Sequence, residues 1–537
     1  MSSAQVMNLA SLLAHTAREF PQRPGLIRGE QVWTWQQIND RVDALVAALR
    51  GLGLQQGERI LVQSRNNLQM FESCWVAFRL GCVWVPTNFR LTPPEVAHLG
   101  AASGAVVMIA ETEFAGHVDA VLAAAPQVRH VLTIGTARAT EHDHGALVGQ
   151  HDYESLVAQH LGQHPAEATV ACDDPLWFFY TSGTTGRPKA AMLTHGQMAF
   201  VVANHLADLI PGTDERDCSI AVAPLSHGAG VHALLNVARG AATLLMPSER
   251  LDPEVFWQLV ERHRVSNLFT VPTIVKMLVE HEAVQRFDHS SLRFVIYAGA
   301  PMYRADQKRA LQLLGPVLVQ YYGMAEVTGC ITVQPREMHS ADDDDPNAHI
   351  GSCGRVRTGM QLVILDADGH ALPSGAVGEI CVRGPAVCAG YHDNAAATAQ
   401  AMRGGWFHTG DLGRVDARGL VFITGRESDM YISGGSNVYP REVEEVLLTH
   451  PAVAEVAVLG VPDAKWGEIG VAVVVRRAPL DSAALLGHLE GRCARYRWPQ
   501  QFFFWDALPK SGYGKITKNN VRAELLARGE VQAVPAD

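Results

Sequence analysis

Short apolar runs alternate with longer amphipathic stretches through the first 350 residues. Runs rich in β-branched and aromatic side chains at 59–63, 105–109, 130–134, 219–222, 243–246, 267–271 and 293–297 predict strands. Before the first of them, Val42, Leu45, Val46 and Leu49 recur at helical spacing and predict an amphipathic helix over 39–49. Such alternation of strand and helix predicts a layered α/β architecture with largely parallel sheets. Leu176-Trp177-Phe178-Phe179-Tyr180 forms a further apolar run, read as a buried strand that presents the Gly-rich segment after it at a sheet edge. After Gly351 the pattern shifts to short strands separated by Asp-Gly-type turns at 366–369 and 416–419, which suit hairpins in a small β-rich subdomain. It shifts again near Arg426. Pro440 opens a helix whose Val443, Val446 and Leu447 share one face. Strands at 456–459 and 471–475 and a helix near 482–491 follow, an α+β pattern.

Size and charge narrow the function classes. A chain of 537 residues exceeds one hydrophobic core, so two or more domains are expected. A composition of 47% hydrophobic and 18% charged residues fits a soluble globular enzyme, and a net charge of −11 argues against a general nucleic-acid binder. No apolar run reaches the length of a membrane span, and the N-terminus lacks a signal core, so a cytoplasmic protein is expected. The terminal Val534-Pro535-Ala536-Asp537 is no peroxisomal address. Nine cysteines without a Cys-x-x-Cys pair read as reduced, buried thiols. Glu141-His142-Asp143-His144 has no further ligands clustered near it and is read as a solvated loop, as is the acidic run 342–345.

The segment Thr181-Ser182-Gly183-Thr184-Thr185-Gly186-Arg187-Pro188-Lys189 carries the strongest chemical signal. Glycines let a backbone wrap an anion with its N–H groups pointing inward. Four hydroxyls add donors and Lys189 adds a positive charge, a set suited to the β- and γ-phosphates of a nucleotide. The spacing is not that of a Walker loop, so a P-loop NTPase fold is not implied.

From Asn8 to Arg522 the chain resembles the adenylate-forming superfamily, which comprises acyl-CoA synthetases, peptide-synthetase adenylation domains and beetle luciferases. The phosphate loop is one motif of several in order. Tyr322-Gly323-Met324-Ala325-Glu326 is similar to Tyr-Gly-x-Thr-Glu, with Ala325 in place of the commoner Thr. Trp406-Phe407-His408-Thr409-Gly410-Asp411 is similar to Trp-x-x-Thr-Gly-Asp. Leu508-Pro509-Lys510-Ser511-Gly512-Tyr513-Gly514-Lys515-Ile516 is similar to Leu-Pro-x-Thr-x-x-Gly-Lys-Ile. The resemblance implies an N-terminal AMP-binding adenylation domain over 1–426 and a small mobile α+β C-terminal domain over 427–537. It implies that Glu326 binds Mg²⁺, that Gly299, Ala300, Pro301, Tyr322 and Gly323 border the adenine, and that Asp411 and Arg426 take the ribose. Lys515 becomes the catalytic lysine that bridges carboxylate and α-phosphate. The hinge falls at Ser428, where relatives carry Asp or Lys, with Asp429 beside it. Gly434 and Gly435 line the pantetheine tunnel. Pro224-Leu225-Ser226-His227-Gly228-Ala229-Gly230 is similar to the loop contacting the acid: His227 stands beside the carboxylate, and Gly228, Ala229 and Gly230 leave room. Tyr321 occupies a position where many relatives have Gly and shortens the acyl pocket.

The expected activity is that of an AMP-forming carboxylate–CoA ligase, using ATP, Mg²⁺ and coenzyme A on a short, medium-chain or aromatic acid. The partners are those small molecules, with no nucleic acid and no membrane span, and a homodimer is admitted. Because ATP and coenzyme A are anionic, a local basic site must sit within the acidic surface. Three alternatives stay open: an adenylate-only ligase for a carrier protein, an amino-acid adenylation enzyme, and a non-catalytic nucleotide sensor. The second is disfavoured because 224–230 holds no acidic residue for an ammonium group.

Overall fold

The computed structural model describes residues 4–135, 148–181, 188–300, 302–426, 429–433, 436–463, 466–510 and 516–531. The segment 141–144 lies outside them. Two large sheets dominate the first 356 residues. The first runs Lys189–Thr194, Pro175–Thr181, Val83–Pro86, Arg59–Gln63, Val107–Glu111, His130–Ile134, Gly149–Asp152 in spatial order, and only the Pro175–Thr181 to Lys189–Thr194 pairing is antiparallel. The second has nine strands. Its parallel centre contains Leu318–Tyr322, Phe294–Tyr297, Asn267–Thr270, Cys218–Ala221 and Ala242–Leu245, and antiparallel strands close both edges.

Central parallel strands are buried on both faces, so they need continuous apolar runs rather than alternation. Ile60, Leu61 and Val62 illustrate this, each fully buried. Helices cover the sheets. Two of them, Leu68–Leu80 and Gly228–Val237, are buried on nearly every side, and their residues join one core cluster with side chains from both large sheets. A helix apolar all round must lie inside rather than on the surface. The predicted 39–49 lies within Trp35–Gly51, which starts at a Thr34–Gln37 capping box.

Past residue 356 the architecture becomes antiparallel, as the Gly-rich turns predict. Gln361–Leu365, Gly378–Arg383, Phe407–Val415 and Val421–Arg426 form a third sheet, with Gly419 at positive φ in the turn joining the last two. From residue 431 a five-stranded sheet follows, with Val453–Asp463 and Gly467–Arg476 antiparallel and Gln501–Trp505 parallel to the latter. Its two core clusters contain only residues from 431 onward. All nine cysteines are free thiols. Among the described residues no helix is long and apolar enough to cross a membrane.

Three buried histidines make the fold sensitive to acid. His195 accepts the Leu9 N–H, His232 bonds Asn267, and His339 bridges Pro335 O and the Tyr297 hydroxyl. Burial lowers each pKa from its ordinary value of 6.5 to about 4. Between those two values the unfolded chain binds protons that the folded chain refuses, so stability falls as pH falls from 6.5 to 4. Each histidine contributes up to roughly 1.4 kcal/mol per pH unit in that window. Calorimetric unfolding from pH 7 to 4.5 is expected to show a steadily falling midpoint, with a shallower slope in His339→Gln; a flat profile contradicts this account.

Candidate active site

The ends of three sheets converge on one region. Thr181 closes Pro175–Thr181, and Lys189 opens the neighbouring strand in direct register with it. The intervening Ser182, Gly183, Thr184, Thr185 and Gly186 lie outside the described residues, as do Pro301, Ser428, Gly434, Gly435 and Lys515. Tyr321 and Tyr322 end the strand Leu318–Tyr322, and Gly323 follows. Gly299, at φ +80°, and Ala300 follow the adjacent strand Phe294–Tyr297. Since Tyr297 is in register with Gln320, they reach the same sheet edge as Tyr322 and Gly323.

One cluster gathers around Glu326, a buried residue in the turn Ala325–Val327. Its Oε1 accepts hydrogen bonds from the Tyr391 hydroxyl at 2.9 Å and the Thr181 hydroxyl at 3.4 Å. Lys189 Nζ stands 5.5 Å from the centroid of the Tyr391 ring. Burial, and then the charge of Glu326, push the Tyr391 phenol pKa up, which keeps it an O–H donor. Tyr391 arrives because 389–392 zips along Lys189–Thr194: Met192 donates to Gly390 O, Ala389 to Met192 O, and His392 to Ala190 O. The hydroxyls around Glu326 therefore come from Thr181 and Tyr391, whereas position 325 offers only a methyl.

A second cluster centres on Asp411. Tyr322 donates to its Oδ2 at 2.7 Å, and Arg426 Nε donates to its Oδ1 at 3.1 Å. Asp411 and Arg426 are cross-strand partners in the third sheet. Asp411 is buried at 6% exposure, and its charge raises the pKa of Arg426. The strand bearing it is held by Glu379, which accepts from Gly410 N–H at 3.0 Å and bonds His408 Nδ1 at 2.6 Å. Cys381 lies 3.3 Å from the same imidazole nitrogen. Arg403 also donates to Glu379, so that carboxylate is committed to holding the strand.

The third part of the region is aromatic. His227 precedes the helix Gly228–Val237 and meets Phe179 edge-on at 4.8 Å. Asn66 clamps the approach to it, donating to Ala223 O and accepting the Leu225 N–H, each at 2.9 Å. Tyr321 stacks on Phe269, centroids 5.7 Å apart and planes 17° apart. The expectation that Gly228 and Gly230 leave room is corrected here. A Cβ at Gly228 would lie 2.7 Å from the Phe269 ring, and one at Gly230 1.9 Å from Leu225 O. These glycines permit close packing of the loop, and Phe269 takes the space. Ala229 is likewise buried.

Asp429 flanks the expected hinge. Burial raises its carboxyl pKa, opposed by the charges of Lys518 and Arg426. Lys518 itself is paired with Glu444. Residues that the sequence did not flag are Tyr391, Glu379, Asn66 and Phe269. Their partners are 31 to 159 positions away. No local motif marks such contacts.

Residues 13–392 match the AMP-binding enzyme family, and 442–515 match the AMP-binding enzyme C-terminal domain. The chain is 36% identical to a feruloyl-CoA synthase from an Amycolatopsis species, over 96% of this chain and 98% of the relative. It is 33% identical to the indoleacetate–CoA ligase of Aromatoleum aromaticum, over 96% and 95% of the two chains. The crystal structure of ATP-bound MatB from Rhodopseudomonas palustris superposes with a TM-score of 0.85 at 28% identity, covering 97% of this chain and 99% of that one. The chain belongs to the AMP-binding enzyme family, the adenylate-forming superfamily of acyl-CoA synthetases that its motifs resemble.

Proposed function

We propose that this protein joins a compact carboxylic acid, aromatic or short to medium aliphatic, to coenzyme A with cleavage of ATP to AMP and pyrophosphate. One observation carries the reading. Tyr322, bound to Asp411, and Glu326, bound to Thr181 and Tyr391, lie four residues apart on one stretch of backbone. An acceptor suited to a ribose and a carboxylate suited to a phosphate-bound cation thus flank one short stretch of backbone.

A carboxylate is a poor acyl donor because oxide is a poor leaving group. In the first half-reaction a carboxylate oxygen attacks the α-phosphorus of ATP, the bond to the β-phosphate oxygen breaks, and pyrophosphate leaves. Negative charge meets negative charge, so oriented donors and cations carry the catalysis. Asp411 and Arg426 hold the ribose, and Tyr322 with Gly299 and Ala300 borders the adenine. Thr181, Lys189 and the segment between them hold the departing phosphates. Lys515 bridges carboxylate and α-phosphate. In the second half-reaction the coenzyme A thiolate attacks the acyl carbon, the bond to the AMP oxygen breaks, and AMP leaves.

Glu326 suits Mg²⁺. It is a buried carboxylate whose two hydroxyl partners both use Oε1, and hard cations favour such oxygen donors. Mg²⁺ held there would supply positive charge against the phosphates. Ser428, with Asp429 beside it, serves as the hinge, and 427–537 rotates between the half-reactions so that Lys515 withdraws and the pantetheine passes along Gly434 and Gly435. The protein is cytoplasmic in this reading.

The acid class follows from the aromatic end of the site. Tyr321 lies on Phe269, and a Cβ at Gly329 would fall 2.6 Å from the Tyr321 ring, so the ring is held in place, and in this reading it shortens the acyl pocket. The names of the two curated relatives support an aromatic acid. Transfer to a carrier protein in place of coenzyme A remains a second reading, excluded by thioester formation with free coenzyme A.

Pyrophosphate release with ATP, Mg²⁺ and coenzyme A across a panel of acids is the deciding assay. Lys515→Ala is expected to lose at least about a hundredfold in that release while still making thioester from synthetic acyl-adenylate; unimpaired release removes Lys515 from the chemistry. Tyr391→Phe deletes one hydroxyl on Glu326 and is expected to lower kcat roughly tenfold and raise the Mg²⁺ requirement. Wild-type kinetics in both respects assigns Tyr391 to packing. Palmitate is expected to react at least about a hundredfold more slowly than the best compact acid, a steric exclusion well above the effect of one methylene; equal turnover rules out the Tyr321 stop.

A further inference from the structure

Beneath the acyl loop, the contact between helix and sheet turns polar. Ser219 is in register with both Thr243 and Asn267 on neighbouring parallel strands. In-register side chains of adjacent strands share a face. The helix Gly228–Val237 covers that face with His232 and Asn236. Three hydrogen bonds close a ring: His232 Nε2 to Asn267 Oδ1 at 2.7 Å, Asn267 Nδ2 to Asn236 Oδ1 at 3.2 Å, and Asn236 Nδ2 to the His232 carbonyl at 2.9 Å. Because Asn267 Oδ1 can only accept, the neutral His232 carries its proton on Nε2 and keeps Nδ1 as an acceptor. Thr243 is 2% exposed, and its hydroxyl has no hydrogen-bond partner among the described residues.

A small cavity lies among these groups, lined by Ser219, Thr243, His232, Ala229, Ala233 and Phe269. It has room for roughly one water-sized group. Phe269 separates it from the acyl loop: the ring edge fills the space over Gly228, one face stacks on Tyr321, and its centroid is 6.4 Å from that of His232. His232 sits about one helical turn, roughly 5.4 Å, further along the helix than Gly228. The cavity thus lies behind the acyl loop, with the Phe269 ring between them.

We infer that the acid carries a hydroxyl, phenolic or aliphatic, at the end distal to its carboxylate. This hydroxyl enters the cavity as the Phe269 ring turns aside, donates to His232 Nδ1 and accepts from the Thr243 hydroxyl. The inference rests on the ligase reading and narrows its substrate class. A methyl in the same place would leave a buried donor and acceptor unsatisfied. No cationic side chain lines the cavity, so a second carboxylate would be buried without a counter-charge. A hydroxyl, which both donates and accepts, matches the two groups present.

The test compares matched acids with and without a terminal hydroxyl: para-hydroxy and unsubstituted benzoic, phenylacetic and cinnamic acids, and ω-hydroxy and plain short aliphatic acids. Both pyrophosphate release and thioester are recorded. In at least one pair the hydroxy acid is expected to lead by roughly tenfold or more in kcat/KM. Thr243→Val, a near-isosteric change that removes an unpartnered hydroxyl and so keeps the fold, is expected to bring that ratio toward one. His232→Phe does the same by deleting the acceptor. Thioester from the plain acids with no hydroxyl preference, or a preference that survives both variants, overturns this inference and leaves the ligase standing. No pyrophosphate release and no thioester from any acid overturns the ligase reading and this inference with it.

Discussion

A buried carboxylate has to be surrounded by donors, and Asp411 sets the terms for the rest of the site. At 6% exposure it cannot rely on water. Tyr322 brings the end of the second sheet to it, and Arg426 brings the next strand of the third. The Arg426 side chain is 63% exposed, so solvent screening keeps the ion pair weak as a source of stability. Its consequence is geometric. It fixes one sheet edge against another and leaves a charged acceptor facing the space between them.

Around that anchor, close backbone approach replaces side-chain bulk. A Cβ at Gly323 would stand 2.4 Å from Gly329 Cα, so the segment after Tyr322 folds back on itself only because both residues lack side chains. Gly329 in turn accepts the Tyr321 ring over it, and Gly228 accepts Phe269. Glu326 is carried into register with Thr181 by this same folded segment. The aromatic floor and the carboxylate cluster are thus two results of one tight turn, and a change in either propagates to the other through a few residues of backbone.

Much of this was legible in the chain, for identifiable reasons. Buried parallel strands require continuous apolar runs, and 59–63 and 130–134 coincide with Arg59–Gln63 and His130–Ile134 in full. Gly-containing turns marked the change to antiparallel hairpins, and Pro440 marked the start of Pro440–Leu448. Asp411, Arg426, Tyr322, Glu326 and Thr181 were all named from motifs. Tyr391 was not, because it reaches Glu326 by lying along Lys189–Thr194, about 200 positions away in sequence. Asn66 and Glu379 escaped notice for the same reason: each acts on a backbone amide of a distant element.

The error over Gly228 and Gly230 shows where local reading ends. A glycine in a sequence says that a side chain is absent, not whether the space is empty or already taken. By itself the sequence determined the fold class, the order of the elements and the family chemistry, because periodicity, turn residues and ordered motifs act over short stretches of chain. The tertiary structure alone decided which hydroxyls face Glu326, that Phe269 packs against Gly228 of the His227 loop, and that Ser219, Thr243 and His232 line a small cavity behind that ring. Those outcomes depend on strand register and helix packing between segments far apart in the chain. No stretch of sequence contains both partners.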